Sequence, residues 1–164
     1  MANISKQKGI AKTNVARILD SKHIKYELIS YVVDENCLAA TRIAEQLDEN
    51  IAQVFKTLVL RGDKIGLLVC VIPGDKELDL KKAAKISGNK KVEMVQMKEL
   101  LPLTGYIRGG CSPVGMKKQF PCYFHHTCMD FSYIYVSAGV RGTQIKINPN
   151  DLVLLINANV GDIV

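Results

Sequence analysis

The chain has 164 residues, of which 48% are hydrophobic and 23% charged, a balance typical of one globular domain and not of a disordered chain. No apolar run approaches the roughly 20 residues that cross a bilayer, and the polar N-terminus lacks the apolar centre of a signal peptide. The formal net charge of +6 favours an anionic partner without distinguishing RNA, DNA and acidic lipid. We therefore expect residues 1–164 to form a single cytoplasmic domain, with its five cysteines as free thiols.

Hydrophobic spacing predicts five elements in the first half of the chain: a helix from Thr13 to about His23, a strand over 26–31, a helix over 38–47, and strands over 54–60 and 65–72. The Thr13 hydroxyl is a suitable helix cap. The turn at 61–64 separates the last two strands and predicts a β-hairpin.

The second half continues with a helix over 80–87, a short strand over 91–94, a helical turn over 97–101, strands over 133–137 and 144–147, and a last helix starting at Asn148-Pro149. Asp79 can cap the first of these helices and Gly88 can end it. Strands outnumber the room for regular β-α-β alternation. We therefore expect an α+β fold with a mixed, mostly antiparallel sheet flanked by helices.

Lys56 is unusual because it interrupts an otherwise apolar strand. With strict alternation it shares a face with Val54 and Leu58, while Phe55 and Thr57 point the other way. One interpretation is an edge-strand lysine that prevents aggregation. The other is a lysine at the mouth of a pocket.

Glycines are dense between residues 104 and 115, and the centre of this segment is Gly109-Gly110-Cys111-Ser112-Pro113. Glycine lets the backbone approach a ligand or adopt a positive φ. Successive N–H groups in such a turn can bind an oxyanion or polarise a carbonyl group. A plain surface loop is the alternative. The surrounding basic residues, Arg108, Lys117 and Lys118 among them, either form a solvated face or hold phosphates.

Two other chemistries are open from the residue types. Cys122, His125, His126 and Cys128 lie in one short segment and are zinc ligands elsewhere, but strand alternation would split them between two faces. Cys111 is a candidate nucleophile, although no histidine is placed beside it by the sequence.

Six segments occur in an order and spacing that resemble the YbaK/EbsC family of tRNA-editing proteins: 55–58 (FKTL), 78–85 (LDLKKAAK), 90–94 (KKVEM), 104–106 (TGY), 109–118 (GGCSPVGMKK) and 134–137 (IYVS). This family is related to the editing domain inserted in bacterial prolyl-tRNA synthetase. The resemblance covers nearly the whole chain. It implies a barrel-like version of the mixed sheet, flanked by helices.

The resemblance implies a trans-editing aminoacyl-tRNA deacylase, acting on mischarged tRNA and most of all on Cys-tRNA(Pro). Its implied partner is the acceptor end of tRNA, alone or docked on prolyl-tRNA synthetase, and neither DNA nor a membrane. No metal or organic cofactor is implied. Lys56 is the implied catalytic lysine, and the implied substrate-binding residues are Tyr31, Thr57, Gly109, Gly110, Cys111, Ser112, Pro113, Ser137 and Gln144.

The implied mechanism needs no protein nucleophile. An aminoacyl ester is already activated, so positioning and electrostatic stabilisation can supply most of the rate. We expect Lys56 to hold the RNA end, and the N–H groups of Gly109 and Gly110 to polarise the carbonyl group. Gln144 stands where proteobacterial members carry an aspartate, and a pocket aromatic of those members falls near Leu38 or Ala39. These departures leave the amino-acid specificity open, and a non-catalytic tRNA-binding relative remains the alternative function.

Overall fold

The computed structural model describes residues 10–164. Its helices are α1 (Asn14–Ser21), α2 (Ala40–Leu47), α3 (Leu80–Ser87), α4 (Met97–Thr104) and α5 (Pro149–Leu155). Its strands are β1 (Tyr26–Ser30), β2 (Phe55–Gly62), β3 (Leu67–Pro73), β4 (Val92–Met94), β5 (Cys122–His125), β6 (Ile134–Ser137), β7 (Thr143–Ile147) and β8 (Asn159–Gly161). Within this part of the chain, no helix is long and apolar enough to cross a membrane.

The strands form two sheets, one with the order β1-β7-β6 and one with the order β4-β2-β3-β5-β8. Pairing is antiparallel except where β5 runs parallel to β3 and to β8. The predicted α+β fold with a mixed, mostly antiparallel sheet arrangement is therefore confirmed.

The barrel-like closure is wrong. Between the two sheets described for residues 10–164, the pairing is a single bridge from Val54 to Tyr135. A closed barrel has no free edge strands, whereas β4 and β8 each pair on one side only. The two sheets are instead packed face to face over a shared core.

The main core lies between one face of each sheet and α1. Phe55 and Phe124 come from the larger sheet, Ile145 from the smaller one and Leu19 from α1, and all are nearly or completely buried. The opposite face of the larger sheet packs beneath α3. β2 and β3 contribute side chains to both cores, because neighbouring side chains point to opposite sides of a strand.

Capping side chains begin three helices, and two of these caps, at Thr13 and Asp79, are predicted from the sequence. Thr13 Oγ1 accepts the Ala16 N–H at 3.2 Å, and Asn148 Oδ1 accepts the Asn150 N–H at 2.8 Å. Asp79 Oδ1 accepts the N–H groups of both Lys81 and Lys82 at 3.0 Å. These bonds satisfy donors that have no acceptor inside the helix.

We expect Asp79→Ala to lower the free energy of unfolding by about 1 kcal/mol, the usual loss on removing an N-cap. Denaturant unfolding followed by circular dichroism measures this change. Asp75→Ala is the matched control, since Asp75 is exposed in the preceding turn. An equal loss in both variants would show that the cap contributes nothing.

α4 extends beyond its predicted end at residue 101 and contains Pro102. A proline usually ends or kinks a helix because its backbone nitrogen carries no hydrogen to donate. Here Thr104 Oγ1 donates to the Leu100 carbonyl at 2.7 Å and the helix ends at Gly105, whose φ is +85°. The glycine-rich segment therefore starts directly at a helix C-terminus.

Candidate functional site

A cleft of about 520 Å³ opens where β2 passes the smaller sheet. Its walls come from the loop before α2, the first half of β2, the glycine turn at 108–111, and the ends of β6 and β7. Six predicted residues line it: Lys56, Thr57, Gly109, Cys111, Ser137 and Gln144. Residues far apart in the sequence thus meet at the seam between the two sheets.

The cleft exposes an unpaired edge of β2. β4 pairs with β2 only from Leu60 to Gly62, and the bridge from Val54 to Tyr135 lies at the start of β2, so the stretch between them has a partner on the β3 side alone. The Val59 carbonyl accepts the Val95 N–H at 3.1 Å and therefore points away from β3. Because peptide groups alternate sides along a strand, that of Thr57 points to the same open edge. A ligand in the cleft thus meets the backbone donor and acceptor of Thr57.

Lys56 lies on this open stretch, so the edge-strand and pocket interpretations of this lysine describe the same position. Its side chain is half-buried and lines the cleft. It forms no ion pair with any side chain of residues 10–164. Arg108 is the other charged residue of the wall, and no acidic side chain of the described chain lines the cleft. The cleft is therefore suited to an anionic group.

The glycine turn lines the same cleft as Lys56 and differs from the prediction in one hydrogen-bond donor. Gly109 has a φ of +83°, a conformation that favours glycine, and it lines the cleft. The Gly110 N–H donates to the Ile107 carbonyl at 2.9 Å. The prediction that this N–H polarises a substrate carbonyl is therefore wrong, because the turn itself uses it. The hydrogen bonds found in residues 10–164 leave the N–H groups of Gly109 and Cys111 without acceptors.

Arg141 braces the turn from the β6–β7 connection. Its Nε donates to the Arg108 carbonyl at 2.8 Å. A Cβ added to Gly109 would lie 3.3 Å from Arg141 Nε, and one added to Gly110 would lie 3.1 Å from the Arg141 backbone nitrogen. A side chain at either glycine would therefore be in tight contact with Arg141. The sequence analysis missed this role of Arg141.

Ser112 and Pro113 lie behind the turn and not in the cleft wall. Ser112 is completely buried, and its Oγ accepts the Val114 N–H at 3.3 Å. These two residues can support the turn, but the structure does not place them against a ligand. Tyr31 also lies outside the wall, in an adjoining hollow of about 10 Å³ that includes Gly109.

Two buried oxygen atoms at the cleft have no hydrogen-bond partner within residues 10–164. They are Thr57 Oγ1 and Gln144 Oε1, and Gln144 is only 3% exposed. Gln144 faces Ser137 across the β6–β7 pair, where Ser137 Oγ accepts the Gly139 N–H. A buried polar atom without a partner costs about 1–3 kcal/mol. Such atoms at a cleft can accept hydrogen bonds from a ligand or from bound water.

The loop before α2 supplies the part of the wall that the sequence analysis did not predict as a site. Asn36, Cys37 and Leu38 all line the cleft. The residue types there carry no recognisable pattern, and the comparison with the family pointed only to the neighbourhood of Leu38 and Ala39. Cys37 is the one exposed thiol of the five.

Burial keeps the thiol of Cys111 protonated, and this argues against Cys111 as a nucleophile. Burial raises the pKa values of Cys111 and Cys70 to about 12 and that of Cys128 to about 11, so each is a thiol at neutral pH. A buried thiol with a raised pKa reacts slowly. The cleft wall described here includes no histidine that could act as its base.

At pH 8, iodoacetamide should therefore alkylate Cys37 at least about tenfold faster than Cys111 in the folded protein. Mass spectrometry of tryptic peptides at successive times measures both rates. Labelling in guanidinium chloride, where all five thiols become exposed, is the control. Equal rates at Cys37 and Cys111 in the folded state would contradict the burial of Cys111.

The cysteine and histidine segment does not form the zinc set that its residue types allow. Cys122 and Cys128 are buried in the main core. His125 and His126 instead come together with Asp162, with one ligand atom from each within 4.8 Å of the others. Asp162 is already paired with Lys82 at 2.9 Å, and His125 Nδ1 accepts the Ile163 N–H at 3.3 Å. The segment lies outside the cleft lining.

The sequence model of the aminoacyl-tRNA editing domain matches residues 34–155, so the chain belongs to this family. EbsC of Enterococcus faecalis, a protein assigned as a Cys-tRNA(Pro)/Cys-tRNA(Cys) deacylase, is 48% identical to it over 98% of both chains. A proline–tRNA ligase of Staphylococcus aureus is 24% identical over 93% of this chain and 25% of the ligase.

Solved structures share the fold. One, described as a trans-editing enzyme for prolyl-tRNA synthetase, superposes with a TM-score of 0.78 at 24% identity and covers 93% of this chain and 98% of its own. A second, of a hypothetical protein, has a TM-score of 0.83 at 23% identity and covers 91% of this chain and 97% of its own. At these identities the likeness concerns architecture. Membership of the editing family rests on the sequence match.

Proposed function

We propose that this protein hydrolyses mischarged aminoacyl-tRNA, with Cys-tRNA(Pro) as its main substrate. The observation that carries the proposal is a cleft lined by both Lys56 and the Gly109 turn, in a chain 48% identical to EbsC. The charged residues of the wall are both cationic, which suits the end of an RNA. Buried oxygens without a partner and free N–H groups at the same place suit the aminoacyl group.

In this proposal each part of the substrate lies against a different part of the cleft wall. Lys56 and Arg108 hold the phosphate next to the terminal ribose. The N–H groups of Gly109 and Cys111 donate to the ester carbonyl oxygen, and their attraction grows as negative charge develops there. The ammonium group of the amino acid donates to Gln144 Oε1 and Thr57 Oγ1, which are otherwise unpartnered. Tyr31, Ser112 and Pro113 support this arrangement from behind.

The chemistry uses the substrate's own thiol as the nucleophile. The cysteine sulfur attacks its ester carbonyl carbon, a C–S bond forms, and the C–O bond to the ribose breaks. The thiol proton leaves with the ribose oxygen, and water then opens the resulting cyclic thioester to free cysteine. The protein positions the ester and stabilises the oxyanion, which fits a wall whose described residues include neither a carboxylate nor a histidine.

Gln144→Met and Thr57→Val replace the two unpartnered oxygens with apolar groups of similar shape. We expect each variant to lower kcat/KM by about tenfold, because a hydrogen bond to a charged group contributes about 1.5–3 kcal/mol. The melting temperature should stay equal or rise, since a buried polar atom without a partner is removed. Kinetics on Cys-tRNA(Pro) with parallel thermal unfolding measures both effects. A fall in both activity and melting temperature would assign these residues to the fold alone.

A deacylation panel tests the function itself. The full chain is incubated with Cys-tRNA(Pro), Ala-tRNA(Pro), Ser-tRNA(Pro) and correctly charged Pro-tRNA(Pro), and release of labelled amino acid is followed. We expect rapid release of cysteine, slower or no release of alanine and serine, and intact Pro-tRNA(Pro). Salt-sensitive tRNA binding without any turnover would instead favour a non-catalytic relative, whose motivation is Gln144 in place of an acid.

The proposal also covers the domain organisation, the cellular location and the partner of the protein. α1 and β8 flank the matched residues 34–155 and pack with the two sheets, which supports one editing domain over residues 1–164. We place the protein in the cytoplasm with tRNA, and not DNA or a membrane, as its partner. Adding prolyl-tRNA synthetase to the panel distinguishes a free enzyme from a docked one. A rate increase that depends on the synthetase would indicate docking.

A further inference from the structure

A second groove continues the cleft along β2. It measures about 370 Å³ and shares Thr57, Leu58, Arg108, Gly109 and Cys111 with the cleft. Its far wall is formed by Met94, Val95, Gln96, Met97 and Leu100, which we call the methionine wall. A molecule whose reacting end occupies the cleft therefore has a direct path into this groove.

The groove differs from the cleft in its chemistry. Met94 and Met97 are 45% and 58% exposed, although methionine is usually a core residue. Arg108, at the junction with the cleft, is the one charged residue lining the groove in residues 10–164. The nearby acid Glu99 is paired with Arg61 at 3.0 Å and does not line the groove. The surface thus offers apolar, polarisable contact to an uncharged group.

Gln96 adds a polar end to this surface. Its side chain is exposed on the methionine wall, while its backbone N–H already donates to Glu99 Oε2 at 2.9 Å. A glutamine amide carries two donors and one acceptor and can pair with the edge of a planar heterocycle. Methionine sulfur makes favourable contacts with aromatic rings. The wall therefore combines contact for a ring face with hydrogen bonds for a ring edge.

The covalent structure of the substrate decides what enters the groove. In an aminoacyl-tRNA the ester, the 5′-phosphate and the base belong to one terminal ribose. If the ester lies at the Gly109 turn and the phosphate at Lys56 and Arg108, the base lies within one sugar of the cleft. The hollow beside Tyr31 measures about 10 Å³, which is too small for a base, whereas the groove measures about 370 Å³.

We propose that the methionine wall binds the 3′-terminal nucleobase of the tRNA, with Met97 against its face and Arg108 at its phosphate. This inference rests on the proposed function and names where that substrate lies. Met97 is a positioning residue: it acts on the base and through it on the ester. Binding of the base would align the ester with the Gly109 turn before the chemical step.

A matched pair of small substrates tests the inference. The cysteinyl ester of adenosine 5′-phosphate and that of ribose 5-phosphate differ only in the base. We expect the protein to prefer the adenosine ester by about fivefold in kcat/KM. Met97→Ala should remove this preference without changing the rate on the ribose ester, and Met97→Phe should keep it, because an aromatic ring also stacks on a base. Met129→Ala, at an exposed methionine outside the groove, is the control.

Equal rates on the two esters, or an equal loss on both in Met97→Ala, would overturn the inference. If neither ester is hydrolysed, a binding measurement with uncharged tRNA ending in 2-aminopurine tests the inference instead. The fluorescence of this base should fall when the tRNA binds the parent protein and should not fall when it binds Met97→Ala. Equal quenching by both proteins would also overturn it.

The two proposals fail separately, since inactivity on Cys-tRNA(Pro) rejects the deacylase while quenching that depends on Met97 still supports the base site. A groove that instead binds prolyl-tRNA synthetase would show synthetase binding lost in Met97→Ala and tRNA quenching unchanged.

Discussion

Lys56→Ala should lower kcat/KM for Cys-tRNA(Pro) by at least about 100-fold and leave the melting temperature nearly unchanged. The side chain lines the cleft and has no ion pair with residues 10–164, so its charge is free to act on the substrate. Lys56 is proposed to fix the terminal phosphate, and a displacement of the ester by about 1 Å on loss of this contact can cost about 10²-fold in rate. Stability should change little because no ion pair of the folded protein is lost.

Lys64→Ala is the matched control for Lys56→Ala. Lys64 is exposed in the turn at the far end of the same hairpin, so it changes the net charge equally without touching the cleft. Single-turnover kinetics at two salt concentrations distinguishes the two variants. A comparable loss in Lys64→Ala would show that the overall charge matters and not the position of Lys56. Activity within threefold of the parent protein in Lys56→Ala would falsify the proposed role of Lys56.

Gly109→Ala should also lower kcat/KM by about 100-fold, through the geometry of the turn. Its φ of +83° is strained for alanine, and the new methyl group would lie 3.3 Å from Arg141 Nε and from Leu38 Cδ2. Relief of that contact displaces the Gly109 and Cys111 N–H groups from the carbonyl oxygen that they are proposed to bind. A displacement of about 1 Å can cost 10²-fold in rate.

Gly66→Ala separates this geometric effect from backbone strain. Gly66 has a φ of +87° and open space around its Cβ position, and it lies in the β2–β3 turn away from the cleft. Both variants should lose about 1–2 kcal/mol of unfolding free energy, because both place alanine in the left-handed region. Only Gly109→Ala should lose activity. Equal activity of the two variants would contradict the assignment of the turn to the substrate.

Local features of the fold followed from the sequence because their causes are local. The caps at Thr13, Asp79 and Asn148 need only a side chain three residues or fewer from its target. The β2–β3 hairpin needs only two apolar runs around a short turn. The caps at Thr13 and Asp79 were predicted, and so were the two strands of the hairpin, with errors of up to two residues at their ends. The Asn148 cap was not predicted, although the start of its helix was.

Long-range features did not follow from the sequence in the same way. The parallel pairing of β5 with β3 and β8 joins segments far apart in the chain, and β8 is only three residues long. No hydrophobic period specifies such a partner. The barrel-like expectation came from the family resemblance, and it failed because the order of strands along a chain does not fix whether a sheet closes. α4 passed through Pro102, where tertiary packing outweighed a local preference.

Most residues of the candidate cleft were predicted from the sequence, but the hydrogen bonds of the turn were not. Lys56 and the glycine turn stood out because a charge in an apolar strand and a run of glycines are both unfavourable for folding. Such features are therefore unusual unless they have a role. The bond from the Gly110 N–H to Ile107 and the brace from Arg141 depend on the three-dimensional turn, which residue types alone do not determine. The loop at Cys37 carries no pattern at all.

The seam between the two sheets has a consequence for how activity returns after denaturation. Lys56 and Gln144 belong to different sheets, which are linked in the described chain by the one bridge from Val54 to Tyr135. Neither sheet alone contains a complete cleft. Contacts between segments so distant in sequence form late, since the chain must first close a long loop. Hydrolytic activity should therefore reappear with the slowest phase of refolding, after most of the secondary structure detected by circular dichroism has returned.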